Sequence, residues 1–184
     1  MEPKQHLIEL LRSKPKDSSI LSLIQTTESH SIINLERDLS LLNGVWELRW
    51  SSSNQPWLKQ AGWLENLQIL DSEKMKAINL LRARGVFGSL AVVAVEADVT
   101  INGSNQIGIK FKQGGWLGPS LNGGWRPKLL KKINQGFPAW LDITVIDNNL
   151  RICRGNAGTC FALLKRDDLS VTDWIPASTE RATE

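Results

Sequence analysis

The chain of 184 residues has no tyrosine, two histidines and two cysteines. So little thiol and imidazole excludes a disulfide-rich scaffold and argues against a zinc site. Long hydrophobic runs are also missing. The longest largely apolar stretch, Gly85 to Val95, spans 11 residues, whereas a membrane-crossing helix needs about 20. The opening Met1-Glu2-Pro3-Lys4 has an acid at once and no apolar core. It predicts neither a secretory signal nor an organelle transit peptide. Acids are absent from residues 99–141, where Lys110, Lys112, Arg126, Lys128, Lys131 and Lys132 stand. The net charge of +3 is therefore concentrated in one middle segment. Such a localised positive field favours anionic partners such as lipid head groups or nucleic acid.

What remains is ample for a core. Apolar residues make up 41%, and a chain of this length buries roughly two-thirds of its unfolded surface. Eight tryptophans supply rigid amphipathic groups that suit cores and binding surfaces alike.

Leu7, Leu10 and Leu11, then Ile20, Leu21, Leu23 and Ile24, then Ile32, Ile33, Leu35, Leu39 and Leu42 recur at helical spacing. Asp17-Ser18-Ser19 is a cap signal, and Gly44 ends the pattern. From there the period is mostly two. It predicts strands over 44–51, 64–71, 75–83, 89–101, 105–112, 139–146, 149–154 and 159–165. Asn102-Gly103 marks a hairpin. The turns at Asn148-Asn149 and Gly155 to Gly158 predict pairing of Val145 with Ile152 and Thr144 with Cys153. They also predict pairing of Ile152 with Phe161 and Cys153 with Cys160. Short strands joined by tight hairpins argue for a closed antiparallel barrel, because closure removes exposed edges. The expected fold is mainly β, of α+β type. It has an N-terminal helical extension over 1–43, a barrel over 44–166 and a polar tail over 167–184 anchored by Trp174-Ile175-Pro176.

Two stretches carry a resemblance. Leu42-Asn43-Gly44-Val45-Trp46-Glu47-Leu48-Arg49-Trp50-Ser51-Ser52 resembles the opening motif of the plastid-lipid-associated protein, or fibrillin, family. Asp142 to Arg166, with Leu150-Arg151-Ile152-Cys153-Arg154-Gly155 and Gly158, is similar to its C-terminal signature. Trp50 stands where that family usually has tyrosine, and the usual proline-rich link is missing. The resemblance implies a lipocalin-like antiparallel barrel and a role in handling lipid or isoprenoid. It also implies peripheral association with photosynthetic membranes or lipid globules, here of cyanobacterial type on the cytoplasmic side of the thylakoid.

Candidate residues follow. Trp46, Leu48, Trp50, Ile78, Leu80, Val93, Val95, Phe111, Ile143, Val145, Ile152, Phe161 and Leu163 are expected to line the barrel interior. They would form an apolar core or an apolar ligand cavity. The lipocalin-like Gly-x-Trp motif at Gly44 and Trp46 implies an arginine stacked on the tryptophan, and Arg154 is the residue expected there. Asp147 serves a turn, and Asp142 is expected to pair with Arg154 or Arg151. Neither acid has a histidine or serine at a catalytic spacing, so no enzyme activity is expected. Cys153 and Cys160 are expected as cross-strand neighbours.

The glycine-rich segment from Gly114 carries Trp116, Leu117, Leu121 and Trp125, followed by Arg126, Lys128, Lys131 and Lys132. Apolar anchors beside bases suit an anionic membrane surface. The leading expectation is a non-catalytic binding protein for a lipid, carotenoid or quinone, with no cofactor. A bilin-handling lyase would need charged groups inside the barrel. A nucleic-acid-binding barrel would interleave bases with aromatics on strand faces, whereas here the bases follow a loop.

Overall fold

Leu7, Ile8 and Leu11 fall on one face of α1 (Pro3–Ser13), and Ile20, Ile24 and Thr27 on one face of α2 (Ile20–Ser29). The two faces meet over the outside of a sheet. The structure is a computed structural model and describes residues 2–55, 58, 62–85, 92–119, 121 and 126–175. A third helix, α3 (Leu35–Leu42), starts where the Asn34 side chain accepts a hydrogen bond from Glu36 N at 3.0 Å. Its first residue is tied to the turn at Asn102-Gly103-Ser104 by Leu35 N donating to Ser104 O at 2.7 Å.

Among the described residues nine strands follow: β1 (Gly44–Ser51), β2 (Leu64–Asp71), β3 (Lys76–Ala83), β4 (Val92–Asn102), β5 (Gln106–Leu117), β6 (Lys128–Lys132), β7 (Ala139–Ile146), β8 (Leu150–Gly155) and β9 (Cys160–Lys165). All their pairings are antiparallel, in the order β4-β3-β2-β1-β9-β8-β7-β5-β6, and β4 also pairs with β5. That last pairing closes the sheet into a ring-like near-barrel. β6 continues the wall beside the far half of β5, where β7 stops. The expected mainly β, barrel-type fold with N-terminal helices is present.

Three expectations need correction. β6 was not expected, because Gly114 and Gly115 read as loop. Instead Gly115 extends β5: a Cβ there would collide with the Leu129 carbonyl, so glycine is what lets β6 close in. The pairing of Val145 with Ile152 holds, but a bulge at Thr144 puts Cys153 opposite Ile143. One strand further, Ile152 pairs with Ala162, Cys153 with Phe161 and Arg154 with Cys160. The cysteines are therefore not opposed. They point to opposite faces of the sheet, one residue of register having exchanged every face.

Apolar packing forms three layers. The lumen holds Trp46, Leu48, Leu70, Val99, Ile107, Ile143, Cys153 and Leu163, with α3 closing one end through Leu35 and Leu42. On the outer face of β7, β8 and β9, α1 and α2 cover Val145, Leu150, Ile152, Cys160 and Leu164. On the outer face of β1 to β5, the C-terminal segment lays Trp174 and Ile175 over Val45, Leu67, Ile69, Ile78, Leu80 and Leu117.

Candidate functional site

Because two outer faces are covered, the lumen does not receive every apolar residue. Of the residues expected to line it, Trp46, Leu48, Val93, Val95, Phe111, Ile143, Phe161 and Leu163 face inward. Trp50, Val145 and Ile152 instead pack under the helices, and Ile78 and Leu80 under Trp174. The physical reason is the C-terminal segment. It claims the apolar face of β2 and β3, so their other face, with Asn66, Gln68 and Asn79, turns to the lumen.

The closed end centres on Trp46, which is fully buried and donates Nε1–H to the Leu42 carbonyl at 2.9 Å. Arg151, not Arg154, lies over its ring, with Cζ 5.1 Å from the centroid; Lys165 Nζ is at 5.3 Å. Gly44 permits this approach, since a Cβ there would stand 2.6 Å from Lys165 Cε. Arg151 is 1% exposed, and burial pushes its guanidinium down to about 10. It meets no carboxylate among the described residues. Its Nη2 donates to Gln68 Oε1, and its Nε has no partner among them.

Arg154 holds α2 to the sheet instead. Its Nε and Nη2 donate to the two carboxylate oxygens of Glu28 at 2.9 and 2.6 Å, and the bulged Thr144 hydroxyl donates to Glu28 Oε1 at 2.7 Å. Asp142 accepts from Gln106 Nε2 at 2.9 Å rather than from either arginine. Asp147 accepts from the backbone N–H groups of Asn149 and Leu150 at 2.8 and 2.9 Å, the turn role expected of it. Gly155 and Gly158 shape the β8–β9 turn, where Gly158 N donates to Gly155 O at 2.8 Å. Burial pushes the Cys153 thiol up to about 11 and the Cys160 thiol up to about 12.

Toward the other end the lumen wall is reached by solvent. Paired positions run around it in rows. One row is Asn66, Leu81, Val93, Trp116 and Leu129. Val93 is 53% exposed, Trp116 39% and Leu129 75%, a large apolar exposure for neighbouring residues on one sheet face. The row beneath is Trp46, Gln68, Asn79, Val95, Gly114 and Lys131. Gln68 is half-buried and Asn79 exposed.

The residues expected at a membrane divide. Trp116 and Lys131 share the lumen face, and Leu121 is exposed nearby in sequence. Lys128 and Lys132 project from the outer face, Lys128 3.7 Å from Glu96. Leu117 is buried under the C-terminal segment, and Arg126 packs over the Trp174 ring at 4.2 Å. Neither takes part in the open face. Trp125 lies outside the described residues.

Sequence reasoning missed Asn66, Gln68, Asn79 and the placement of Arg151. The alternation in Asn66-Leu67-Gln68-Ile69 was visible, but not which face the tail would cover.

These features define a class: a small antiparallel near-barrel, plugged at one end by a helix and, among the described residues, open at the other onto apolar side chains. The PAP_fibrillin profile matches residues 8–164, and the chain belongs to that family. Membership supports a lipid-associated structural protein in general terms. No curated protein and no solved structure matches the chain. Among the described residues, no helix is long and apolar enough to cross a membrane.

Proposed function

We propose that this protein is a non-catalytic carrier of a hydrophobic small molecule, a lipid, carotenoid or quinone, which it takes up through the open end of the lumen. The observation that carries this reading is the row of Leu81, Val93, Trp116 and Leu129: apolar side chains that face inward yet remain accessible. A filled core would bury them, and an ordinary surface would replace them with polar residues. Covering them with a ligand tail removes apolar area from water at about 25 cal/mol per Å2.

The carrier works at the periphery of photosynthetic membranes, on the cytoplasmic side of the thylakoid, and meets an anionic bilayer with its open end. Lys131 stands on the same face as Trp116 and Leu129, so a base accompanies the apolar rim. Membership of the PAP_fibrillin family supports a lipid-associated role in general. Among the described residues the lumen charges lie at the closed end and at Lys131, which gives little to hold the propionates of a bilin. The bases on β6 are not interleaved with aromatics, which disfavours a nucleic-acid groove.

The test is extraction of the protein purified from its natural host. A co-purifying apolar molecule in stoichiometric amount is expected, and its loss from a Val93→Asp, Leu129→Asp variant of unchanged circular dichroism. Protein that elutes without any such molecule and binds no fluorescent apolar probe would contradict the carrier reading.

A further inference from the structure

The geometry points to a hydrogen-bond-donating head-group site on the lumen wall, built by Gln68 and Asn79 and oriented by Arg151, which selects apolar ligands bearing an acceptor oxygen. This rests on the carrier reading above and narrows it. The ligand is an amphiphile with a quinone carbonyl or a carboxylate, not a pure hydrocarbon.

The argument begins with what arginine can do. A guanidinium has five N–H donors and no acceptor. Arg151 is 1% exposed, and its Nη2 donates to Gln68 Oε1. That contact fixes the amide: the oxygen must face the arginine, so the Nε2–H2 group faces away from it. Gln68 Nε2 has no partner among the described residues, and Gln68 is half-buried. Asn79 is its cross-strand partner on the same face and makes no side-chain hydrogen bond among the described residues. Two amide side chains thus sit side by side on the lumen wall, one of them held donor-outward.

The second step concerns charge. A buried guanidinium without a carboxylate is costly. Its field extends along the Gln68 amide and strengthens the donors at the far end. An acceptor oxygen there, above all an anionic one, is favoured over a hydroxyl donor or a bare hydrocarbon. The third step is placement. Gln68 and Asn79 lie one row below Asn66, Leu81, Val93, Trp116 and Leu129. One row is two residues, or about 7 Å along a strand. A head group at the amides therefore leaves its tail against the exposed apolar rim. This is the usual arrangement of a lipid site, mostly apolar with a few polar fixers.

The experiment uses the full chain and the fluorescent apolar probe N-phenyl-1-naphthylamine, displaced in parallel by palmitate, methyl palmitate, a decyl-substituted benzoquinone and hexadecane. Palmitate, the quinone or both should displace the probe at least tenfold more effectively than hexadecane. Palmitate alone marks the site as a carboxylate site, and the quinone alone as a carbonyl site. Gln68→Met and Asn79→Leu should each bring the oxygenated ligands about tenfold closer to hexadecane, the effect of one charge-assisted hydrogen bond. Probe affinity should not change. Asn79 is exposed, so its variant folds even if Gln68→Met does not. If hexadecane displaces as well as the oxygenated ligands, or both variants keep the parent's ratio, the head-group site is wrong while the carrier stands. If the probe does not bind at all, the carrier reading fails and the head-group site with it.

Discussion

Trp46 and Trp116 show how one residue type serves two purposes. Both face the lumen, but Trp46 is fully buried and hydrogen-bonded, whereas Trp116 is 39% exposed. Trp46→Ala should cost about 3–5 kcal/mol of unfolding free energy, as truncation of a buried tryptophan does. Trp116→Ala should cost less than about 1 kcal/mol, in the range of surface changes. Urea unfolding checks this: the midpoint should fall far more for Trp46→Ala, at unchanged slope. Equal midpoint losses would refute the assignment of Trp116 to the open rim.

The cysteines are a second case at the same scale. With Cys153 in the lumen layer and Cys160 under the helices, no disulfide joins them without refolding. Burial raises both thiols above pH 10, Cys153 to about 11 and Cys160 to about 12, so thiolate is scarce at pH 8. Iodoacetamide at pH 8 should leave both unmodified in the native protein and label both in urea. Rapid labelling of the folded protein would count against these placements.

At the scale of elements, β1, β2 and the C-terminal segment are joined by charge on the outer face. Glu47 and Glu65 are each 5% exposed. Arg166 Nη1 donates to both at 2.9 Å, Arg84 reaches Glu47 at 2.7 Å and Arg82 reaches Glu65 at 2.7 Å. Burial works to raise these carboxyls, but the guanidinium hydrogen bonds outweigh it and hold both below their ordinary value of 4.5. The stability they contribute is fully present above that ordinary value. It is lost as pH falls through the depressed folded values. Glu47→Gln should therefore cost about 1–3 kcal/mol at pH 7, as for lost charge-assisted hydrogen bonds. The cost should shrink as pH falls through the depressed folded value, because the parent carboxyl is then neutralised as well; urea midpoints across pH read this out. A cost independent of pH would mean that Glu47 acts through packing alone.

The same segment explains what the sequence showed and what it hid. Strand positions were legible because period-two alternation depends only on neighbours: β1, β2 and β7 match their expected ranges. Gly44, Trp46 and the β8–β9 turn were legible as motifs. Which face of β2 and β3 turns inward was not, because both alternate over only part of their length and the choice is made by Trp174 and Ile175, far along the chain. Register at β7–β8 was lost to a bulge at Thr144, which the Glu28 and Ile152 contacts of its hydroxyl occupy. The polar members of the candidate site were hidden by the same choice of face. Removal of residues 167–184 should expose the outer layer on β1 to β5. Loss of the two buried anchors alone is worth about 3–6 kcal/mol, read as a lowered urea midpoint and increased binding of an apolar dye.

For the whole molecule, the division of bases between two faces gives the membrane reading a sharper test than charge alone. Lys131 lies in the lumen row beside Gly114, whereas Lys128 and Lys132 project outward from β6. If the open end meets the bilayer, the apolar rim inserts and Lys131 lies nearest the head groups. Binding to vesicles containing anionic lipid should then weaken as salt shortens the Debye length from about 10 Å at 0.1 M to about 3 Å at 1 M. A remainder held by Trp116 and Leu129 should survive. Trp116→Ser with Leu129→Ser should remove the salt-resistant part. Lys131→Gln should remove more of the salt-sensitive part than Lys128→Gln, since one base near the surface contributes about 1 kcal/mol, roughly fivefold in affinity. Co-sedimentation with vesicles of equal size and varied anionic content measures each part. If Lys128→Gln weakens binding as much as Lys131→Gln, and the double serine variant binds like the parent at 1 M salt, the protein lies on the bilayer by its outer face and the open end points away.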